Sequence, residues 1–533
     1  MRRFAVASAL YALLALALSP AHAAPPTERI ELRPIGTYAA NVENRLSAAE
    51  IAAYDHVSQR LYIVNAAALT VDVVSIADPA NPTLLFDIRI GALGDRFGAA
   101  NSVAVHNGLV AVAVEAAVKT DPGYVLLFDR DGRLLNSLQV GALPDMLTWT
   151  PNGRQIVVAN EGEPNAPYTI DPEGSISIIT ATGNPARLTQ ADVITVGFAD
   201  FNVGGPRHGE LDPRIRIFGP NASVAQDLEP EYIAVTDDSQ TAYVTLQENN
   251  ALAVIDLRRA AVRSLVALGS KDHALPGNAL DASDRDGRIN IVNWPVRGLY
   301  QPDAIDTFKT RGRTFVVTAN EGDARDYAGF SEETRVSQLT LNPASFPNAA
   351  ALRNNAALGR LRVTNATGDL DRNGAFEELY SFGARSFSIW SDSGELIYDS
   401  SDDFERITAA AYPTFFNASN TNNTFDDRSD DKGPEPEAVV TGRIANRTYA
   451  FIGLERIGGV MVYDVSDPSA PSFVQYVNNR DFTQPVASPD ARDLGPEGVL
   501  FIPASKSPNK LPLLVVSNEI SGTTTIYAIL SAR

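Results

Sequence analysis

Pro302-Asp303, followed by Phe315-Val316-Val317-Thr318-Ala319-Asn320-Glu321, is the stretch on which the fold turns. A proline with an acidic residue opens one short strand. An apolar, β-branched run ending in Asn-Glu forms the next. The same pair returns along the chain. Pro144-Asp145 precedes Ile156-Val157-Val158-Ala159-Asn160-Glu161, and Pro230-Glu231 precedes Tyr243-Val244-Thr245-Leu246-Gln247-Glu248. Pro436-Glu437 precedes Phe451-Ile452-Gly453-Leu454-Glu455, and Pro496-Glu497 precedes Leu514-Val515-Val516-Ser517-Asn518-Glu519. Weaker copies start at Glu50 and at Asn101-Ser102. A third strand follows most pairs, as in Leu252-Ala253-Val254-Ile255-Asp256. Two of the turns, Asp78-Pro79-Ala80-Asn81-Pro82 and Asp467-Pro468-Ser469-Ala470-Pro471, resemble each other directly.

Seven copies of a three- or four-stranded unit at irregular spacing predict an all-β, seven-bladed β-propeller with long inter-strand insertions. A pair of β-sandwiches is the competing architecture. The early strand Arg29 to Ile35 is expected to join the last unit and close the ring. Two regions exceed a minimal blade, at about 199–228 and 328–431; the second is rich in Asn, Asp and Ser. Long insertions on a rigid scaffold often carry function.

The N-terminus predicts export. Arg2 and Arg3 precede the apolar run Phe4 to Leu18, and Ala21-His22-Ala23 fits a small-x-small cleavage site. That makes 1–23 a signal peptide and 24–533 a single propeller domain. The run is shorter than the ~20 apolar residues of a spanning helix, and no second such run follows, so no membrane span is expected after cleavage. The expected location is periplasmic or secreted. The chain ends soon after its last strand with no sorting segment in view, which favours a free exported protein.

The formal charge is −20, and near −22 without Arg2 and Arg3. Nucleic acid is excluded as a partner because it needs a positive surface. Cations fit. Equivalent positions of different blades converge on a propeller's axis, so Glu161, Glu248, Glu321, Glu455 and Glu519 are expected at one level. Glu231, Asp303, Glu437 and Glu497 are expected at a second. Such tiers need bound cations, basic partners or raised pKa values. Hard oxygen ligands favour calcium, with Glu161, Glu321, Glu437 and Glu497 as candidate ligands. Asp369-Leu370-Asp371-Arg372-Asn373-Gly374 has the D-x-D-x-N-G spacing of a calcium loop. Position twelve is Tyr380, so it is no complete EF-hand; Glu377 or Glu378 can close it. A less regular acidic loop carries Asp281, Asp284 and Asp286.

Catalytic signatures are thin. There is no cysteine, and the mature histidines His56, His106, His208 and His273 form no metal-ligand pair at short spacing. The leading reading is a calcium-binding protein that presents its faces to a surface, mineral or polymer. The alternative is a calcium-dependent phosphoester hydrolase. In it Glu321 and Glu437 hold metal, and Arg325, Arg428, Lys432 and Arg456 neutralise the transferring group. A quinone- or sugar-dependent dehydrogenase is a third reading without specific support.

Several motifs resemble the choice-of-anchor I family. They are Asn160-Glu161-Gly162-Glu163-Pro164, Asp171-Pro172-Glu173-Gly174-Ser175 and Asn320-Glu321-Gly322-Asp323-Ala324-Arg325-Asp326-Tyr327. Glu378-Leu379-Tyr380-Ser381-Phe382-Gly383 and Arg385-Ser386-Phe387-Ser388-Ile389-Trp390 add to them. Arg428-Ser429-Asp430-Asp431-Lys432-Gly433-Pro434-Glu435-Pro436-Glu437 is the most distinctive. The family is similar to mesenchyme-specific cell-surface glycoproteins linked to biomineralisation, and some bacterial relatives carry an alkaline phosphatase label. The resemblance implies an exported propeller with acidic, calcium-related surfaces, and it supplies no catalytic residues.

Overall fold

The repeat becomes seven four-stranded antiparallel sheets among the described residues. The computed structural model describes residues 29–42 and 45–532. Residues 1–23, expected to be a signal peptide, lie outside the described residues. In the unit that opened the sequence reading, Ile305–Thr310 pairs with Arg313–Asn320, then Ser386–Ser391, then Leu396–Asp399. The β-branched second strands lie in the middle of their sheets and are covered on both faces. Val157, Val158, Val316 and Val317 are all fully buried, as a continuous apolar run requires. Side chains of successive sheets interleave: Val157 and Ile176 share one core with Ile233, Val244 and Ile255.

The first strands are Ala52–Asp55, Phe97–His106, Pro144–Trp149, Pro230–Val235, Ile305–Thr310, Pro436–Ile444 and Pro496–Ile502. Each packs beside the next in chain order, and the last returns to the first. The outer strand of the last sheet comes from the N-terminus. Arg29–Ala39 pairs antiparallel with Thr523–Ala532, with Leu32 opposite Ile529 and Thr37 opposite Thr525. The expected closing strand is therefore present and runs to Ala39. Closure of this kind gives the last sheet its fourth strand from the other end of the chain.

The two similar turns also match in detail. Asp78 accepts the Ala80 N–H at 3.1 Å on its side chain and the Asn81 N–H at 3.0 Å on its carbonyl. Asp467 does the same for Ser469 and Ala470, at 3.1 Å each. Both are Asx-turns.

The 199–228 region packs on the propeller core. Phe198, Phe201, Val224 and Leu228 are buried there, and Ser223 caps the short helix Val224–Asp227 in a capping box with Gln226. The 328–431 region is two excursions, because Ser386–Ser391 and Leu396–Asp399 inside it are blade strands. Their serines hide the strand pattern. Ser386 and Ser388 both donate to Asp399, at 2.6 and 2.8 Å, which allows hydroxyls in a buried strand. A further excursion, residues 268–304, was not anticipated. It joins the first part of 328–431 in a separate apolar core that includes Leu280, Val296, Val336, Leu358, Val363 and Phe376.

Candidate functional site

The Asn-Glu and Pro-acid motifs divide their labour. In the first, the asparagine is a clamp. Asn320 is fully buried and donates to Ser386 and Ser388, at 3.2 and 2.8 Å. Asn160 likewise holds Ser175 and Ser177. The glutamate that follows leaves the strand and reaches the axis. In the second motif the ladder loses register just after Pro144, Pro230, Pro436 and Pro496. Asp145, Glu231, Glu437 and Glu497 sit in these irregularities, which re-aim a side chain.

The result is an axial cavity in two chambers, of about 300 and 350 Å³, to which all seven first-strand segments contribute. Seven carboxylates line the first chamber and ten the second, with Asp145, Glu161, Asp303 and Glu497 shared. The lining cations are Lys119, Lys432 and Arg456. Lys119 pairs with Glu163. Burial, then mutual repulsion, pushes several of these carboxyls up. Asp145 reaches about 7 and Glu50 about 8. Glu161, Glu231, Asp303, Glu437 and Glu497 are all driven well above the usual range. Glu435 goes the other way. Burial raises it, but Lys432 at 3.2 Å, Arg428 at 2.7 Å and Arg456 at 2.9 Å outweigh that and hold it well below the usual range.

Three carboxylates meet in the second chamber. Glu321, Glu437 and Glu455 each place an oxygen within 4.8 Å of the others. Glu321 accepts from Lys432 at 2.5 Å and from Gln247 at 2.9 Å. Glu455 accepts from Asn420 at 2.8 Å and faces Arg456 at 3.0 Å. Glu437 is 8% exposed, and its Oε2 has no hydrogen-bond partner. Three converging carboxylates suit a hard cation.

The other sequence-derived candidates are distributed elsewhere. Glu161 and Glu497 line the cavity outside this trio. Lys432 and Arg456 reach the cavity, while Arg428 is spent on Asp431 and Glu435. Arg325 does not reach it. Fully buried, it is enclosed by Asp227, by Glu229 at 3.0 Å and by the Phe218 ring at 4.6 Å. In the D-x-D-x-N-G loop, Asp369 and Asp371 stand with Glu377, within 4.8 Å. Asn373 donates to Asp371 at 2.8 Å. Glu378 turns away to Arg297, at 3.5 Å, and to the Tyr380 hydroxyl at 2.5 Å. Asp284 is taken by Arg360 at 2.8 Å and Arg285 at 3.1 Å, apart from Asp281 and Asp286. Sequence reasoning passed over Glu115, Lys119, Glu163 and Asp323 as cavity residues. Glu115 ends the second strand of a weak repeat copy, and its register was the available signal.

The family model for the choice-of-anchor I domain matches residues 50–468. The chain belongs to the choice-of-anchor I family. Members of this family are associated with cell surfaces and secretion, so this is a surface-associated β-propeller. Gigasin-3a of Magallana gigas is 32% identical over 189 residues, covering 33% of this chain and 66% of gigasin. The mesenchyme-specific cell surface glycoprotein of Strongylocentrotus purpuratus is 29% identical over 302 residues, covering 50% of this chain and 38% of that protein. The chain thus spans less than two thirds of the length of either relative. Among solved structures, hydrazine synthase of Kuenenia stuttgartiensis matches with a TM-score of 0.47 at 11% identity, over 92% of this chain and 99% of that one. The Cps50 (Swd1) beta-propeller domain of Myceliophteria thermophila matches with a TM-score of 0.45 at 9% identity, over 94% and 100%.

The choice-of-anchor cavity carries a pH signature. Carboxyls raised in the folded state bind protons more tightly there than in the unfolded chain. Their stabilising contribution is complete below the unfolded value near 4 and is lost as pH rises through about 7 to 8. The lowered Glu435 acts with the opposite sign, below pH ~4 only. Chelator-treated protein is expected to lose on the order of 5 °C of Tm between pH 5 and pH 8. A melting curve that rises over that interval contradicts the charge assignment.

Proposed function

We propose that the chain is a seven-bladed β-propeller working outside the cytoplasm as a calcium-binding protein of a cell surface or periplasm. Support for the blade number comes from the seven four-stranded sheets and the cyclic neighbourhood of their first strands. Support for the surface setting comes from the family and from a relative described as a cell surface glycoprotein. The observation that carries calcium binding is Glu437, a buried carboxylate without a donor beside Glu321 and Glu455. An isolated buried carboxylate is costly, and a cation offsets that cost. The ion would offset two of the trio's three charges, and its open positions would face the polar chamber, where a surface, mineral or polymer supplies further oxygens.

Chelator-stripped protein at pH 8 is expected to gain about 5–10 °C of Tm on adding calcium. Glu437→Gln, which keeps the shape and removes the charge, should lose most of that gain. A calcium response unchanged in Glu437→Gln would overturn the site. Phosphomonoester and phosphodiester turnover is measured on the same samples. Calcium-dependent turnover that vanishes in Glu321→Gln would replace the binding reading with the hydrolase.

A further inference from the structure

We propose that Glu435 is a positioning residue of the axial cation site: its carboxylate draws Lys432 and Arg456 toward itself, so that Glu321, Glu437 and Glu455 keep the negative charge that a divalent ion needs. This role rests on the calcium reading of that trio. Glu435 is not itself a ligand. It is fully buried, and both its oxygens are occupied. Oε1 accepts from Arg428, from Nη2 at 2.7 Å and Nε at 2.9 Å. Oε2 accepts from Arg456 Nε at 2.9 Å and from Lys432 Nζ at 3.2 Å.

The chain is bent to put it there. Glu435 stands between Pro434 and Pro436 with φ at 51°, a left-handed backbone that a non-glycine residue adopts only at a cost. Its carbonyl accepts the Glu455 N–H at 2.8 Å, so the same residue fixes the backbone of one of the three carboxylates. Glu437 lies two residues further on, beyond this bend, and its Oε2 has no donor. Two neighbouring carboxylates thus have opposite surroundings. One gathers three cations, and the other is left bare.

What those cations would do without Glu435 is set by their other contacts. Arg428 retains Asp431 at 2.9 Å. Lys432 is left with Glu321 at 2.5 Å, and Arg456 with Glu455 at 3.0 Å. Asp323 is further from Lys432, at 3.9 Å, and half exposed. Two of the three cations would therefore give their whole charge to members of the trio. The trio and Glu435 carry four negative charges against Lys432 and Arg456, a net −2; without Glu435 it is −1. Charges this close and this far from water act on one another strongly, so the loss of one anion weakens the pull on an ion in the trio.

The test measures calcium affinity by titration calorimetry on the chelator-stripped protein at pH 8, with metal-free melting curves alongside. Glu435→Gln keeps the shape of the side chain and is expected to bind calcium at least about tenfold more weakly than the parent. Adding Lys432→Met removes a released cation and should return the affinity to within about threefold of the parent. A residue that only holds the fold predicts the reverse, because a second buried change would weaken binding further. If Glu435→Gln alone does not fold, the double variant decides: affinity near the parent's supports the role, and affinity about tenfold below it overturns it. Parent-like affinity in Glu435→Gln, or a double variant no better than the single, would also overturn it and leave the trio's reading intact. A parent that binds no calcium, or a Glu437→Gln variant that binds as tightly as the parent, would overturn the axial reading and this role with it.

Discussion

Deleting residues 24–38 is expected to lower Tm by more than about 10 °C. The segment supplies nearly all of the strand Arg29–Ala39, the outer member of the closing sheet. It buries Ile30, Leu32 and Tyr38. Each such side chain contributes about 1.5–3 kcal/mol, and the ladder to Thr523–Ala532 is lost with them. Tyr38 also donates to the buried Asp72 at 2.8 Å, so its loss strips a donor from a buried carboxylate. The exposed edge at 523–532 would be open to pairing with another chain, and aggregation on heating is the expected accompaniment. An unchanged melting curve would mean that the ring holds without this strand.

Arg325→Met is expected to cost about 3–5 kcal/mol, because removing one member of a buried ion cluster strands the others. Arg325 compensates Asp227 and Glu229, neither of which touches solvent. Its backbone N–H donates to Glu332 at 3.2 Å, and Glu332 in turn pairs with Arg216. The cluster therefore ties the 199–228 excursion to the segment after Asn320. Denaturant midpoints measure the loss. Adding Glu229→Gln to Arg325→Met should recover part of it, since the pair is coupled. Calcium binding in the axial cavity should be unaffected once the fold is restored by lower temperature. An unchanged denaturant midpoint in Arg325→Met would overturn this structural role.

The central strands were the most legible part of the fold. Ile156-Val157-Val158 and Val515-Val516 are apolar on both faces, and a strand covered by neighbouring sheets on both sides needs that pattern. Ser386–Ser391 was illegible as a strand because its polarity is satisfied by Asp399, a partner in the next strand. The 268–304 excursion escaped notice for a similar reason. Its apolar residues are sparse in sequence and find their core only with residues 336–379.

Repeat position put Glu321 and Glu455 at one level and Glu437 at another; only the structure brings the three together. Sequence position could not separate Glu377 from Glu378, which differ only in the direction each side chain takes. Nor could it say which arginines were free. Arg325, Arg428 and Arg456 look alike in sequence, and only Arg456 reaches the cavity.

The sequence by itself determined the β architecture, the repeat, the closing N-terminal strand and the acidity of the axis. All of these follow from residue type and spacing, which set the period of a strand and the register of a repeat. The tertiary structure alone decided which carboxylates are paired and which are bare. Pairing depends on contacts between residues far apart in the chain, such as Lys432 with Glu321 and Arg216 with Glu332. A charge's cost is set by burial and by the nearest opposite charge, and neither is written in local sequence.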